Sequence, residues 1–130
     1  MRSIVIILFY CVMSLNGSAQ VRAEEILGHW LTEKGDARVQ IYIEHNKYVG
    51  KITWVKDEKQ STQLNTVILA DFVYDEKEKE WNSGTVFEPR HGHKSSGYLV
   101  LKDANTLKVT GYKGFRWISD SEIWTRVKSK

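Results

Sequence analysis

A chain of 130 residues, 42% apolar and 27% charged, has room for one packed domain and little more. That apolar share excludes a disordered polymer, and a single cysteine, Cys11, excludes both an internal disulfide framework and a cysteine-rich zinc module. The formal charge of +3 comes from lysines and arginines interspersed with acids, as in Asp75-Glu76-Lys77-Glu78-Lys79-Glu80, which leaves no electrostatic footprint for nucleic acid.

The first segment reads as an address rather than as structure. Arg2 supplies a positive start, Ile4 to Leu15 is apolar but for Ser14, and Asn16-Gly17-Ser18-Ala19-Gln20 is small and polar. This is the layout of a secretory signal peptide. As a helix the apolar stretch spans about 18 Å, short of the ~30 Å bilayer core, so no stable membrane span is expected in the mature chain. Cleavage fits after Ala19 or after Ala23, giving a signal peptide of 1–23 at most and a single domain over 24–130. Cys11 follows the bulky Phe9 and Tyr10, a poor setting for lipid attachment, and leaves with the signal. Either cut leaves a mature net charge of only +2 or +1. The expected location is periplasmic or secreted.

From Ile26 onward no helical period persists, and short alternating runs are separated by turn residues. A first short strand surrounds Trp30. In Arg38 to Glu44, Val39, Ile41 and Ile43 share one face. His45-Asn46 suits a hairpin tip, because Asn tolerates positive φ. Tyr48 to Val55 answers it, with Gly50, Ile52 and Trp54 on one face. After the polar stretch 57–65, Val67 to Tyr74 alternates, with Ile68, Ala70 and Phe72 against Leu69, Asp71 and Val73. Asp71 is expected to point outward on a solvated wall. Strands at Trp81 to Phe87, Gly97 to Lys102, Leu107 to Gly111 and Glu122 to Lys128 complete about eight. Short connections imply an antiparallel up-and-down meander, and closure removes the exposed edges. The expected fold is a small all-β barrel.

The two ends carry a resemblance. Gly28-His29-Trp30 on the first strand and Trp124-Thr125-Arg126 on the last resemble the lipocalin and wider calycin barrels, in which a basic side chain packs over the Trp ring and closes one end. Guanidinium over indole is worth roughly 0.5–2 kcal/mol, which suits that structural role for Gly28, Trp30, Trp124 and Arg126. The ordered set of Gly28-His29-Trp30, Ala37 to Tyr42, Tyr48 to Trp54, Trp81 to Pro89, Gly92, Leu107 to Tyr112 and Trp124 to Val127 is similar to the bacterial secreted family known as domain of unknown function 2147. The resemblance implies a lipocalin-like fold and no established role. Two departures stand out. Relatives usually carry Asn-Pro-Asp with nearby arginines where this chain has Lys59-Gln60-Ser61-Thr62-Gln63-Leu64-Asn65, and usually an aromatic where it has Ser95.

Candidates for chemistry are few. His91 and His93, with Glu88 as a possible third ligand, form the one arrangement that suggests a metal; an exposed glycine turn explains the same residues. The mature chain has no cysteine nucleophile, no Gly-x-Ser-x-Gly elbow and no phosphate-cradling loop, so no catalytic residue and no cofactor is expected. Five Trp, five Tyr and three Phe follow residue 23. Aromatics fill small barrels and also line ligand pockets. Ile41, Ile43, Ile52, Trp54, Phe72, Leu99 and Val109 are the expected inward, ligand-lining residues. Three functions follow. The first is an exported binding protein holding a small apolar or amphipathic ligand inside the barrel. The second is a solid barrel that binds an envelope protein or glycan through surface rings such as Tyr42, Tyr112 or Trp117. The third is an enzyme built on Glu88, His91 and His93.

Overall fold

The computed structural model describes residues 22–128; residues 1–21 of the expected signal peptide, with the cleavage positions Gly17 and Ala19, lie outside the described residues, whereas Ala23 lies within them. Eight strands close into one antiparallel barrel, each bonded to its neighbours in chain order. They are β1 (Gly28–Leu31), β2 (Ala37–Glu44), β3 (Lys47–Val55), β4 (Val67–Asp75), β5 (Glu80–Glu88), β6 (His93–Asp103), β7 (Thr106–Tyr112) and β8 (Ser119–Arg126). Two 3-10 segments, Ala23–Ile26 and Glu58–Gln63, are the only helical pieces among the described residues. Strand order follows from loop length: connections this short return the chain beside the strand it has just left.

The hairpin between β2 and β3 turns through His45 and Asn46, both at positive φ (53° and 65°), as a two-residue turn that matches strand twist requires. At the end carrying the β2–β3, β4–β5 and β6–β7 turns, the first 3-10 segment lies across the barrel. The Trp81 Nε1–H donates to the Ala23 carbonyl at 3.1 Å and the Trp30 Nε1–H to that of Ile26 at 2.9 Å. The Arg126 guanidinium stands 4.3 Å from the Trp30 ring centre and donates to the carbonyls of Ala104, Leu27 and Glu25. Gly28 admits this arrangement: its φ is 125°, and a Cβ there would lie 3.1 Å from Arg126 Nη1. One side chain thus ties the first segment, the last strand and the β6–β7 turn.

Five register shifts interrupt the strict alternation expected of the strands, and three of them redirect side chains at the core or the outer wall. In β3 one extra residue, Thr53, is inserted, since Ile52 pairs with Val39 but Trp54 with Arg38. In β4 the four residues from Leu69 to Phe72 face three on β3, and in β5 the four from Trp81 to Gly84 face three on β6. The inserted residues include Asp71 and Ser83, at φ 65° and 64°, on neighbouring strands. A bulge bends the strand and reverses which residues face inward beyond it. Leu69 and Phe72 therefore both point into the core and are fully buried. Asp71 is exposed, in line with its expected outward placement.

The boundaries differ most from expectation at two strand starts. β6 begins at His93 rather than Gly97, and β8 begins at Ser119 rather than Glu122. Both strands are lengthened by polar residues whose backbone pairing, not side-chain burial, keeps them extended.

Candidate functional site

The interior of the barrel is filled by the chain's own side chains. Trp30, Leu69, Phe72, Trp81, Leu99 and Leu107 are each at most 1% exposed. Phe72 fills the middle. A Cβ placed on Gly84 would sit 2.5 Å from the Phe72 ring, and one on Gly97 would sit 2.5 Å from Val86 Cγ2 and 3.4 Å from Phe72 Cζ. Gly50 is similarly covered by Leu69 and Val39. These inward glycines do not leave a void. They make room for one large ring, and packing of that density is what a protein core shows.

Five of the seven expected lining residues, Ile41, Ile52, Phe72, Leu99 and Val109, are buried in this core. Two are not. Ile43 is 48% exposed although in phase with Val39 and Ile41, because it lies beside the β2–β3 tip, where the strands run past the packed interior. Trp54 is 37% exposed because the Thr53 bulge turns it to the outer face, where the Arg38 guanidinium lies 5.0 Å from its ring centre. Trp124 is buried and pairs with Leu107, and its Nε1–H donates to Glu122 at 2.9 Å.

A cleft of about 360 Å³ lies on the outside. It is lined by Val67, Ile68, Ala70, Asp71, Thr85, Phe87 and Lys94. Ala70, Thr85 and Phe87 alternate with the inward Leu69, Gly84 and Val86, so this cleft belongs to the outer wall of β4, β5 and β6.

The β5–β6 turn holds His91, and His93 opens β6. The His91 Nδ1 lies 2.6 Å from Glu88 Oε1, and the backbone N–H groups of Arg90 and His91 donate to the same carboxylate. Partial burial pushes the Glu88 carboxyl up, but the His91 ring and the two N–H donors outweigh it and hold it below its ordinary value of 4.5. His93 stacks on His91 with ring centres 5.7 Å apart. Among the described residues no group of three or more His, Cys, Asp or Glu is arranged to hold a metal ion. The carboxylate is engaged in closing its own turn.

The β7–β8 connection, which carries Trp117 beside Phe115 and Ile118, is a different kind of surface. Phe115 and Trp117 stack face to face, 4.6 Å between ring centres and 12° between planes, and Trp117 is 78% exposed. Ile118 beside them is exposed too. Between the two rings, Arg116 turns back onto the wall. Its guanidinium lies 3.8 Å from the Tyr98 ring centre and donates to the buried Glu80 carboxylate at 2.7 Å. Glu80 also accepts from Asn82 at 2.8 Å. The alternation Phe115, Arg116, Trp117 therefore anchors the loop with one side chain and presents the neighbours outward. Tyr112 and Tyr42 are half-buried on the wall; the Lys51 ammonium stands 5.4 Å from the Tyr42 ring centre, and Tyr112 lies 6.2 Å from Tyr98.

Comparison with known proteins agrees with the fold. Protein HP1028 from Helicobacter pylori, described as belonging to the lipocalin family, superposes with a TM-score of 0.64 at 13% identity, over 80% of this chain and 84% of that one. Among curated proteins none matches the chain. Among the described residues no helix is long and apolar enough to cross a membrane. The family described as "uncharacterized protein conserved in bacteria (DUF2147)" matches residues 28–126, the whole barrel from β1 through β8, and the chain belongs to that family.

Proposed function

We propose that the protein is an exported, non-catalytic binding module whose barrel is a solid scaffold and whose outer surface meets the partner. The observation that carries this reading is Phe72 lying over Gly84 and Gly97, which takes the space an interior ligand needs. The exposed, anchored ring pair Phe115–Trp117 supports it from the other side, since large apolar groups held rigidly in solvent are the usual anchors of an interface. The lipocalin-like likeness favours a binding role over chemistry but does not fix one, because one fold hosts many functions. The signal-like start of the sequence favours the bacterial envelope or the medium as the working compartment.

Native mass spectrometry of the protein purified from its own host tests the reading. The expected spectrum is the bare mature mass. A reproducible small-molecule adduct, released on unfolding, overturns the solid-scaffold reading in favour of the interior ligand.

A further inference from the structure

We infer that the free edge of β8, Ser119 to Ile123, is a docking site for an extended peptide strand carrying basic residues at alternate positions. This rests on the reading that the barrel acts through its outer surface, and it names where and on what.

The barrel is closed, but unevenly. β8 pairs with β7 along its whole length, from Ser119 with Tyr112 to Thr125 with Thr106. On its other side it pairs with β1 only through Thr125 and Arg126, because β1 ends at Leu31. The β7–β8 hairpin thus projects past the β1–β2 hairpin, and all five residues Ser119 to Ile123 are exposed. Along a strand, backbone N–H and C=O groups point alternately to the two sides. The Ile123 N–H points away from β7, since it donates to the Glu33 carboxylate at 2.7 Å. The backbone groups of Ser119 and Ser121 point the same way, and among the described residues no strand faces them. Glu33 supplies one acceptor in place of a missing strand. Unpaired edge groups of this kind are a template for strand addition.

The side chains say which strand fits. Asp120 and Glu122 share one face, in register with the inward Gly111 and Val109, and both are exposed. A strand laid on this edge sets its own same-face residues beside these two carboxylates, which calls for lysine or arginine at every second position. The opposite face offers Ser119, Ser121 and the exposed Ile123, with Trp117 and Ile118 just before them, and suits apolar residues in between. A second copy of this chain fits badly. Antiparallel self-pairing centred on Ser121 sets Asp120 of each copy against Glu122 of the other, two like-charge contacts.

The test uses three synthetic heptapeptides: one alternating lysine and valine, one alternating glutamate and valine, and the lysine peptide with alternate backbone nitrogens methylated. Amide and indole NMR shifts of the protein are followed on titration. The inference predicts that the lysine peptide shifts the amides of Ser119, Ser121 and Ile123 and the Trp117 indole. It should bind about tenfold more tightly than the glutamate peptide, the difference two opposed charge pairs supply. Backbone methylation should abolish the shifts. Ser119→Pro, which removes an edge N–H not used by β7, should weaken binding, and Asp120→Lys should reverse the preference between the charged peptides. Binding that survives methylation, shifts centred elsewhere, no binding of the lysine peptide, or a concentration-dependent dimer through this edge each overturns the inference. Those outcomes leave the bare native mass untouched, so failure of the edge and failure of the solid-scaffold reading are told apart.

Discussion

Truncating Phe72 is the perturbation that bears hardest on a filled interior. The ring is fully buried, and its own atoms cover Gly84 and Gly97, two positions with no side chain to collapse into the gap. Burial of a Phe side chain is worth roughly 1.5–3 kcal/mol, and the cavity left by an Ala adds to that, giving about 3–5 kcal/mol in total. The value belongs at the upper end here, because the glycines that the ring covers offer no side chain to refill the gap. Urea unfolding followed by tryptophan fluorescence measures it, with an unchanged slope confirming a two-state comparison. Since a loss of this size can unfold a domain of this length, Phe72→Leu provides a milder second point, expected near 1–2 kcal/mol. A loss below about 1 kcal/mol for Phe72→Ala would falsify the packed core, because it is what a side chain lining an open pocket gives.

Other outcomes follow from the same geometry. The Tyr74 hydroxyl is buried without a hydrogen-bond partner, and burial together with the charges of Glu76, Glu25 and Asp75 raises its pKa. Tyr74→Phe should therefore be neutral or stabilising by up to ~1 kcal/mol in thermal unfolding, and a clear destabilisation contradicts the orphaned hydroxyl. Arg126→Lys keeps the charge but loses the fork that reaches three carbonyls and the stacking on Trp30, so a loss of about 1–3 kcal/mol is expected in the same assay, against near-zero if the contact is ornamental. Glu88 titrates below 4.5 in the folded protein, so its contribution is present above that value and fades as pH falls through the lower folded pKa. Carboxyl NMR should show its midpoint rising in His91→Ala, and an unmoved midpoint refutes the pairing. The mature N-terminus should be Gln20, from cleavage after Ala19, because Ala23 accepts the Trp81 indole N–H and belongs to the fold; intact-mass measurement that finds Glu24 first overturns this.

Much of the architecture was legible because antiparallel strands with one buried face alternate with a period of two, as Val39 and Ile41 do on β2. The end closure was legible for a different reason: a Gly, a Trp and an Arg at the two ends of the sequence meet only if the barrel closes. What the alternation cannot carry is a bulge. One extra residue at Thr53 turns Trp54 outward, the insertion at Asp71 brings Leu69 and Phe72 to the same side, and that at Ser83 does the same for Trp81 and Gly84. Asp and Ser just before inward residues were the available hints, since Asp in particular tolerates left-handed backbone. Yet the same residue types also sit in regular strands wherever the outer face meets water, so neither one marks a bulge by itself. The aromatic content was ambiguous for a physical reason too. A ring that fills a barrel and a ring that lines a pocket have the same sequence, and only the inward glycines opposite Phe72 distinguish them. The anchored loop at Phe115 to Ile118 depends on Arg116 reaching Glu80, 36 residues away, which no local pattern reveals.

The central claim is that no space for a ligand exists inside the barrel, and xenon under pressure in crystals tests it directly, because xenon enters dry apolar cavities. The account predicts no xenon among Phe72, Leu69, Gly84 and Gly97 in the native protein, and a new site there in Phe72→Ala. Xenon bound at that position in the native barrel would contradict it and make the interior a binding site again.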